Sequence, residues 1–151
     1  MARVRFATGT EGAIALSASA TKTVMQIVAP TNQRVVLRGF SVSFNGISAV
    51  QEPCEVRLVK QTDAGTTSAA TPVKEGGGAE TIQSTSRKTA TVEPTTTDIY
   101  RRYYVHPQSG RETKFSFADE IEIPGGGRLG VVVVTPSGAN YNVVGHMSAE
   151  E

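Results

Sequence analysis

The chain has 151 residues, 38% of them hydrophobic and 6% aromatic, with no Trp and a single Cys. Fifteen Lys and Arg nearly cancel fourteen Asp and Glu, leaving a formal net charge of +1. That balance supplies no overall field to draw in nucleic acid or an anionic membrane, and one cysteine excludes an intrachain disulfide.

A chain of this length buries about 68–70% of the surface it exposes when unfolded, so residues 1–151 are expected to form a single domain without staples. Arg3 and Arg5 are not followed by an apolar stretch of signal-peptide type, and no run has the length of a membrane span. A soluble protein without an export signal is the expectation.

Val4 and Phe6 are the large apolar anchors of residues 1–12 after Met1. Their i, i+2 spacing puts them on one face of an extended segment, opposite Arg3 and Arg5. The pattern fits either a first strand or an extended N-terminal arm that adds itself to a partner's sheet edge. Residues 13–20 alternate weakly, and residues 21–29 (TKTVMQIVA) read as a strand stopped by Pro30. Residues 34–44 (RVVLRGFSVSF) alternate best of all, with Val36, Phe40, Val42 and Phe44 on one face and Ser41 and Ser43 on the other. Gly39 inside that run signals a bulge or a close backbone approach. Asn45-Gly46 signals a turn. Cys54, Val56 and Leu58 then face one way from a strand over residues 54–61, with Glu55 and Arg57 opposite.

From residue 62 to 98 the character changes. Val73, Ile82 and Val92 are the large aliphatics there, scattered among Thr, Ser, Ala and Gly. A structureless loop of that length is unusual in a compact domain, so a protruding excursion with short exposed strands near residues 80–83 and 88–92 is expected. Residues 99–106 (IYRRYYVH) are a strand again, and residues 111–117 follow with Phe115 and Phe117 on one face. Residues 120–135 read as a short strand, a turn through Pro124 and three glycines, and a long strand with four consecutive valines. Apolar side chains on both faces of that strand ask for cover on both, from the second layer of a sandwich or from another subunit. In the last strand Tyr141, Val143, Gly145, Met147 and Ala149 share one face, and Asn142, His146 and Ser148 the other.

No stretch carries helical periodicity. The expected fold is all-β, an antiparallel β-sandwich of jelly-roll type with about eight to ten strands and little or no helix. An immunoglobulin framework would need a Trp and a Cys pair.

The chemistry-bearing residues are sparse. His106 and His146 stand in no metal-ligand spacing with each other or with Cys54, which reads as a small buried hydrophobe. Gly76–Gly78 and Gly125–Gly127 lack the Lys and Ser/Thr of a phosphate loop. Asp63, Asp98, Asp119 and Glu120 lack the spacing of a calcium loop. No catalytic residue, metal, cofactor or small-molecule substrate is expected. One cluster stands out. On a strand Tyr100, Arg102 and Tyr104 share a face, with Arg101, Tyr103 and Val105 opposite. Tyrosine and arginine are the residues enriched at protein interfaces, and the same residues also serve as core tyrosines overlaid by arginine stems.

The layout resembles the small all-β capsid decoration (cement, or head-stabilising) proteins of tailed bacteriophages. The resemblance lies in Ile123-Pro124-Gly125-Gly126-Gly127-Arg128-Leu129-Gly130-Val131, in Asn142-Val143-Val144-Gly145-His146-Met147-Ser148 and in the acidic close Glu150-Glu151. It implies a non-enzymatic virion protein, made in the host cytoplasm, that docks as a homotrimer on the capsid exterior and clamps the lattice of major capsid protein. Val4, Phe6, Tyr100, Arg101, Arg102, Tyr103 and Tyr104 are the candidate contact residues. A receptor- or carbohydrate-binding head of a tail or collar fibre is the alternative, with four Tyr and no Trp to supply sugar platforms. An enzyme on a double-stranded β-helix would need a His/Glu metal constellation.

Overall fold

The computed structural model describes residues 3–151, and alternation along the chain builds it. β1 (Arg5–Gly9), β2 (Ile14–Leu16), β3 (Thr21–Val28), β4 (Val35–Phe44), β5 (Cys54–Gln61) and β6 (Thr66–Ala70) come first. β7 (Val73–Lys74), β8 (Thr85–Val92), β9 (Thr96–Val105), β10 (Gly110–Lys114), β11 (Ile121–Ile123), β12 (Arg128–Val134) and β13 (Tyr141–Glu150) follow. There is no helix among the described residues. Among the described residues thirteen strands exceed the expected eight to ten because two- and three-residue pieces add themselves to the sheet margins.

The first sheet has the order β10-β4-β13-β1-β7, with β2 also on β13 and β11 also on β4; the second has the order β6-β8-β3-β12-β5-β9. Every pair is antiparallel. Four strands of each sheet carry the jelly roll: β1-β13-β4-β10 faces β3-β12-β5-β9. The last two strands intercalate, β12 between β3 and β5 and β13 between β1 and β4, and the chain changes sheet at β2–β3, β3–β4, β4–β5, β6–β7, β7–β8, β9–β10, β11–β12 and β12–β13.

The inner faces are the apolar ones. Leu129, Val131 and Val133 of β12, Val143, Met147 and Ala149 of β13, and Cys54, Val56 and Leu58 of β5 join one core. Met25 of one sheet lies over Gly145 of the other; a Cβ on that glycine would sit 2.5 Å from Met25 Cε. Phe6 is fully buried and Val4 nearly so. Within the segment expected as either a strand or an arm, Arg5–Gly9 is therefore a strand, held between β13 and β7. Residues 1 and 2 of the expected arm lie outside the described residues.

A bulge corrects the expected faces of β4. Ser148 pairs Gly39 while Ala149 pairs Leu37, so Arg38 is the extra residue. Parity flips there. Val35 and Leu37 join Phe40 and Val42 in the core, and Val36 turns outward.

Within the 62–98 segment, β8 and β6 extend the second sheet beyond β3, and β7 pairs with the outer edge of β1. Residues 80–83, expected to be a strand, are not one. The legs of the insertion, residues 62–65 and 93–95, cross the outer face of β12 and β3 side by side, joined by Thr62 N–H donating to Thr95 C=O at 3.0 Å. Asp63 C=O accepts from Gln26 and the Glu93 carboxylate from Thr23 on that face, where Val132 is 3% exposed and Val59, Gln26, Gln61 and Thr23 are buried. The second face of the valine strand is thus covered by its own chain. Subunit association is not needed for it.

Candidate interaction surfaces

β9 is an edge strand ten residues long, and it carries the tyrosine and arginine cluster. A second bulge rearranges the expected faces. Arg101 pairs Leu58 and Ile99 pairs Val59, which leaves Tyr100 as the extra residue. Tyr100 therefore leaves Arg102 and Tyr104 and packs with Tyr103 against the core margin. The Tyr103 ring lies 5.6 Å from that of Phe40, and the Arg111 guanidinium of β10 stacks 4.0 Å above it. Those two contacts close the gap between the sheets beside β9. Arg101 is exposed, and its Nη1 donates to Tyr100 C=O at 3.0 Å.

Arg102 and Tyr104 remain on the outer face, paired across to Arg57 and Glu55. Tyr104 is 77% exposed. Glu55 receives Arg57 Nη2 at 2.6 Å and has Arg102 Nη1 at 3.7 Å. The Arg57 hydrogen bond, aided by both positive charges and opposed by burial, holds the Glu55 carboxyl below its ordinary value. The result is an aromatic ring standing beside a fixed, net-positive cluster on a free sheet edge.

A recess of about 580 Å³ opens on the outer face of the other sheet, lined in part by Arg3, Arg34, Arg38, Glu120, Glu122 and Glu150. Most of its charges are paired with one another. Arg38 bridges Glu120 and Glu150, with Nη2 at 2.9 Å from Glu150 Oε2, and Arg3 Nη1 reaches Glu150 Oε1 at 2.9 Å. Arg34 pairs Glu122 at 3.0 Å. Burial opposes ionisation of Glu150, but the Arg38 hydrogen bond and the charges of Arg38 and Arg3 outweigh it and hold its carboxyl below the ordinary 4.5. A depressed pKa contributes stability that is complete above the unfolded-state value and is lost as pH falls through the folded-state value. Urea midpoints are therefore expected to hold from about pH 7 to 5 and to fall at more acid pH, with Glu150→Gln flattening that fall. An unchanged acid slope in Glu150→Gln would remove this carboxylate from the account.

Cys54 is fully buried, donates to Val105 C=O at 3.3 Å and lies against Tyr141. Burial pushes its thiol up to about 11 and the Tyr141 hydroxyl up to about 12. Both are core groups. Among the described residues no three His, Cys, Asp or Glu side chains gather around a point that could hold a metal.

Of the residues singled out from the sequence, the fold brings Tyr100, Arg101, Arg102, Tyr103 and Tyr104 to one edge and splits them between two environments. Val4 and Phe6 are internal, and their burial removes them as a free contact surface. The sequence reading passed over two large aliphatics, Ile47 and Val50, which are 92% and 89% exposed in the β4–β5 connection. The usable signal was apolar residues stranded between Asn45-Gly46 and Pro53 without any strand period. Comparison with protein-family models, with curated proteins and with solved structures found no match to this chain.

Proposed function

We propose that this chain is a structural virion protein that binds the outer surface of a tailed-phage capsid and stabilises the shell by bridging major capsid subunits. The observation that carries this reading is the outward Tyr104–Arg102–Arg57–Glu55 cluster on the free edge strand β9. Tyrosine and arginine provide large, rigid contact area and directional donors, the properties of residues that dominate interface energetics. The jelly roll supports the reading as a scaffold that holds such a surface rigid, and the resemblance of the Ile123–Val131 and Asn142–Ser148 stretches supplies the capsid and the three-fold ring. The ring rests on that resemblance alone, since the valine strand is already covered.

The mechanism is mass action. A protein that binds the assembled lattice and not its free subunits stabilises the shell by about 2.7 kcal/mol per site when present at a hundredfold over Kd. Many sites on one shell multiply the effect.

The test mixes purified protein with expanded, DNA-free capsids of the cognate phage and follows co-sedimentation and shell melting, with native mass measured in parallel. Saturable binding, a higher shell melting temperature and a trimer mass are expected, and Tyr104→Ala is expected to weaken binding about tenfold or more. No binding to capsids, together with clear hits on a glycan array, would replace this reading by a receptor- or carbohydrate-binding head.

A further inference from the structure

Of the strands that end a sheet, β9 has ten residues, β6 and β10 five each, and β7 two. Beyond its bulge at Tyr100, β9 pairs in unbroken register with β5, from Arg101 opposite Leu58 to Val105 opposite Cys54.

The ladders decide which of its backbone groups are free. Along an antiparallel strand, successive residues turn N–H and C=O alternately toward one neighbour and toward the other. Ala29 N–H donates to Gly127 C=O and Thr135 N–H to Ala20 C=O, both at 2.9 Å. The odd-numbered residues of β12 therefore bond to β3 and the even-numbered ones to β5. Carried across the β12–β5 and β5–β9 registers, that phase bonds Arg101, Tyr103 and Val105 to β5. Arg102 and Tyr104 turn N–H and C=O away from the sheet, and no backbone bond among the described residues reaches them from a loop. Two donors and two acceptors at strand spacing are matched together by extended backbone.

Charge narrows the occupant. Arg57, Arg101, Arg102 and Arg111 stand along this stretch, with the Glu55 carboxylate held between Arg57 and Arg102. Asp98, before the bulge, has Lys60 at 3.9 Å. A second copy would bring the same surplus of arginine against this one, and like charges across a strand pair destabilise it. A carboxylate on an incoming strand instead gains charge-assisted hydrogen bonds from the guanidinium groups.

We infer that the free edge of β9 takes an added strand, an extended segment of a different protein with a carboxylate side chain opposite Arg102. This deepens the reading of β9 as a contact surface, on which it rests, by naming backbone addition as the mode and an acidic strand as the occupant.

Two measurements test it. Isotope-labelled protein is titrated to millimolar levels with a short synthetic peptide of alternating glutamate and threonine, and with its lysine–threonine counterpart. The glutamate peptide is expected to shift the Arg102 and Tyr104 amide resonances saturably and to slow their hydrogen exchange at least twofold. The lysine peptide is expected to do neither, and Arg102→Glu to abolish the response. No shift at these two amides, or equal shifts with both peptides, overturns the added strand. In the second measurement Tyr104→Pro and Tyr104→Ala are compared in sedimentation with the same DNA-free capsids. Proline removes the outward N–H and leaves the bonds to β5, so the two variants are expected to share a urea midpoint and the proline one to bind at least tenfold more weakly. A proline variant that unfolds places that N–H in the β5 ladder and overturns the edge assignment. Equal capsid binding by the two overturns strand addition and leaves the capsid reading standing. Amides that answer to the glutamate peptide in a protein that ignores capsids keep the added strand and remove the capsid. A wild-type dimer that Tyr104→Pro dissociates gives the edge to a second copy and overturns the acidic occupant.

Discussion

Phe6→Ala is expected to lower stability by about 3–5 kcal/mol, enough to bring a domain of this size close to its unfolding threshold. Phe6 pairs Ala149 of β13 on one side and Lys74 of β7 on the other, and its ring is fully buried. Truncation removes the transfer free energy of the ring and leaves a cavity between two sheets that cannot close without moving both. Deleting residues 1–10 goes further, because it strips β13 of a ladder partner and uncovers its edge. The deleted chain is expected to be unfolded by circular dichroism, whereas loss of a free arm would leave the sandwich intact. A urea midpoint of Phe6→Ala equal to wild type would mean that the segment leaves the sandwich in solution.

The contrast between β13 and β4 shows what could be read in advance. β13 alternates without interruption, so Tyr141, Val143, Met147 and Ala149 were assignable to the core from spacing alone, and they are there. β4 alternates as well, but its bulge at Arg38 turns Val36 out and Leu37 in. Gly39 marked the place without giving the direction of the shift, since the direction depends on pairing with a strand more than a hundred residues away. The shift at Tyr100 on β9 likewise depends on strand pairing, there with β5. Residues 62–95 were opaque for a further reason. Their strands β6 and β8 are rich in small and polar residues because one face is open to water, and a period-2 pattern without large apolar residues looks like a loop. The valine strand was legible as needing two covers, and its sequence contained nothing about where the second would come from.

That second cover leads to the other large effect. Gly130→Ala is expected to cost about 2–4 kcal/mol, although alanine in place of glycine ordinarily favours a strand. A Cβ at Gly130 would lie 2.3 Å from Gln61 Oε1. The amide of Gln61 cannot step aside, because Gln26 Nε2 donates to its Oε1 at 2.7 Å and its own Nε2 donates to Thr23 Oγ1 at 3.0 Å, all three residues being buried. The network continues into the legs of the insertion. Gln26 Nε2 also donates to Asp63 C=O at 3.0 Å, and the Glu93 carboxylate receives Thr23 N–H at 2.8 Å and Thr23 Oγ1–H at 2.6 Å. Displacing Gln61 leaves buried polar groups without partners, and each costs about 1–3 kcal/mol. In a Gln61→Ala background the clash is absent, so Gly130→Ala is expected to cost less than about 1 kcal/mol there, giving a coupling of about 2 kcal/mol between the two sites. Urea unfolding of the four chains of that cycle measures it. Additive losses would mean that the glycine answers to something other than the glutamine amide, and that the insertion is held to β3 and β12 by apolar contact at Val59, Val132 and Pro94 rather than by this network.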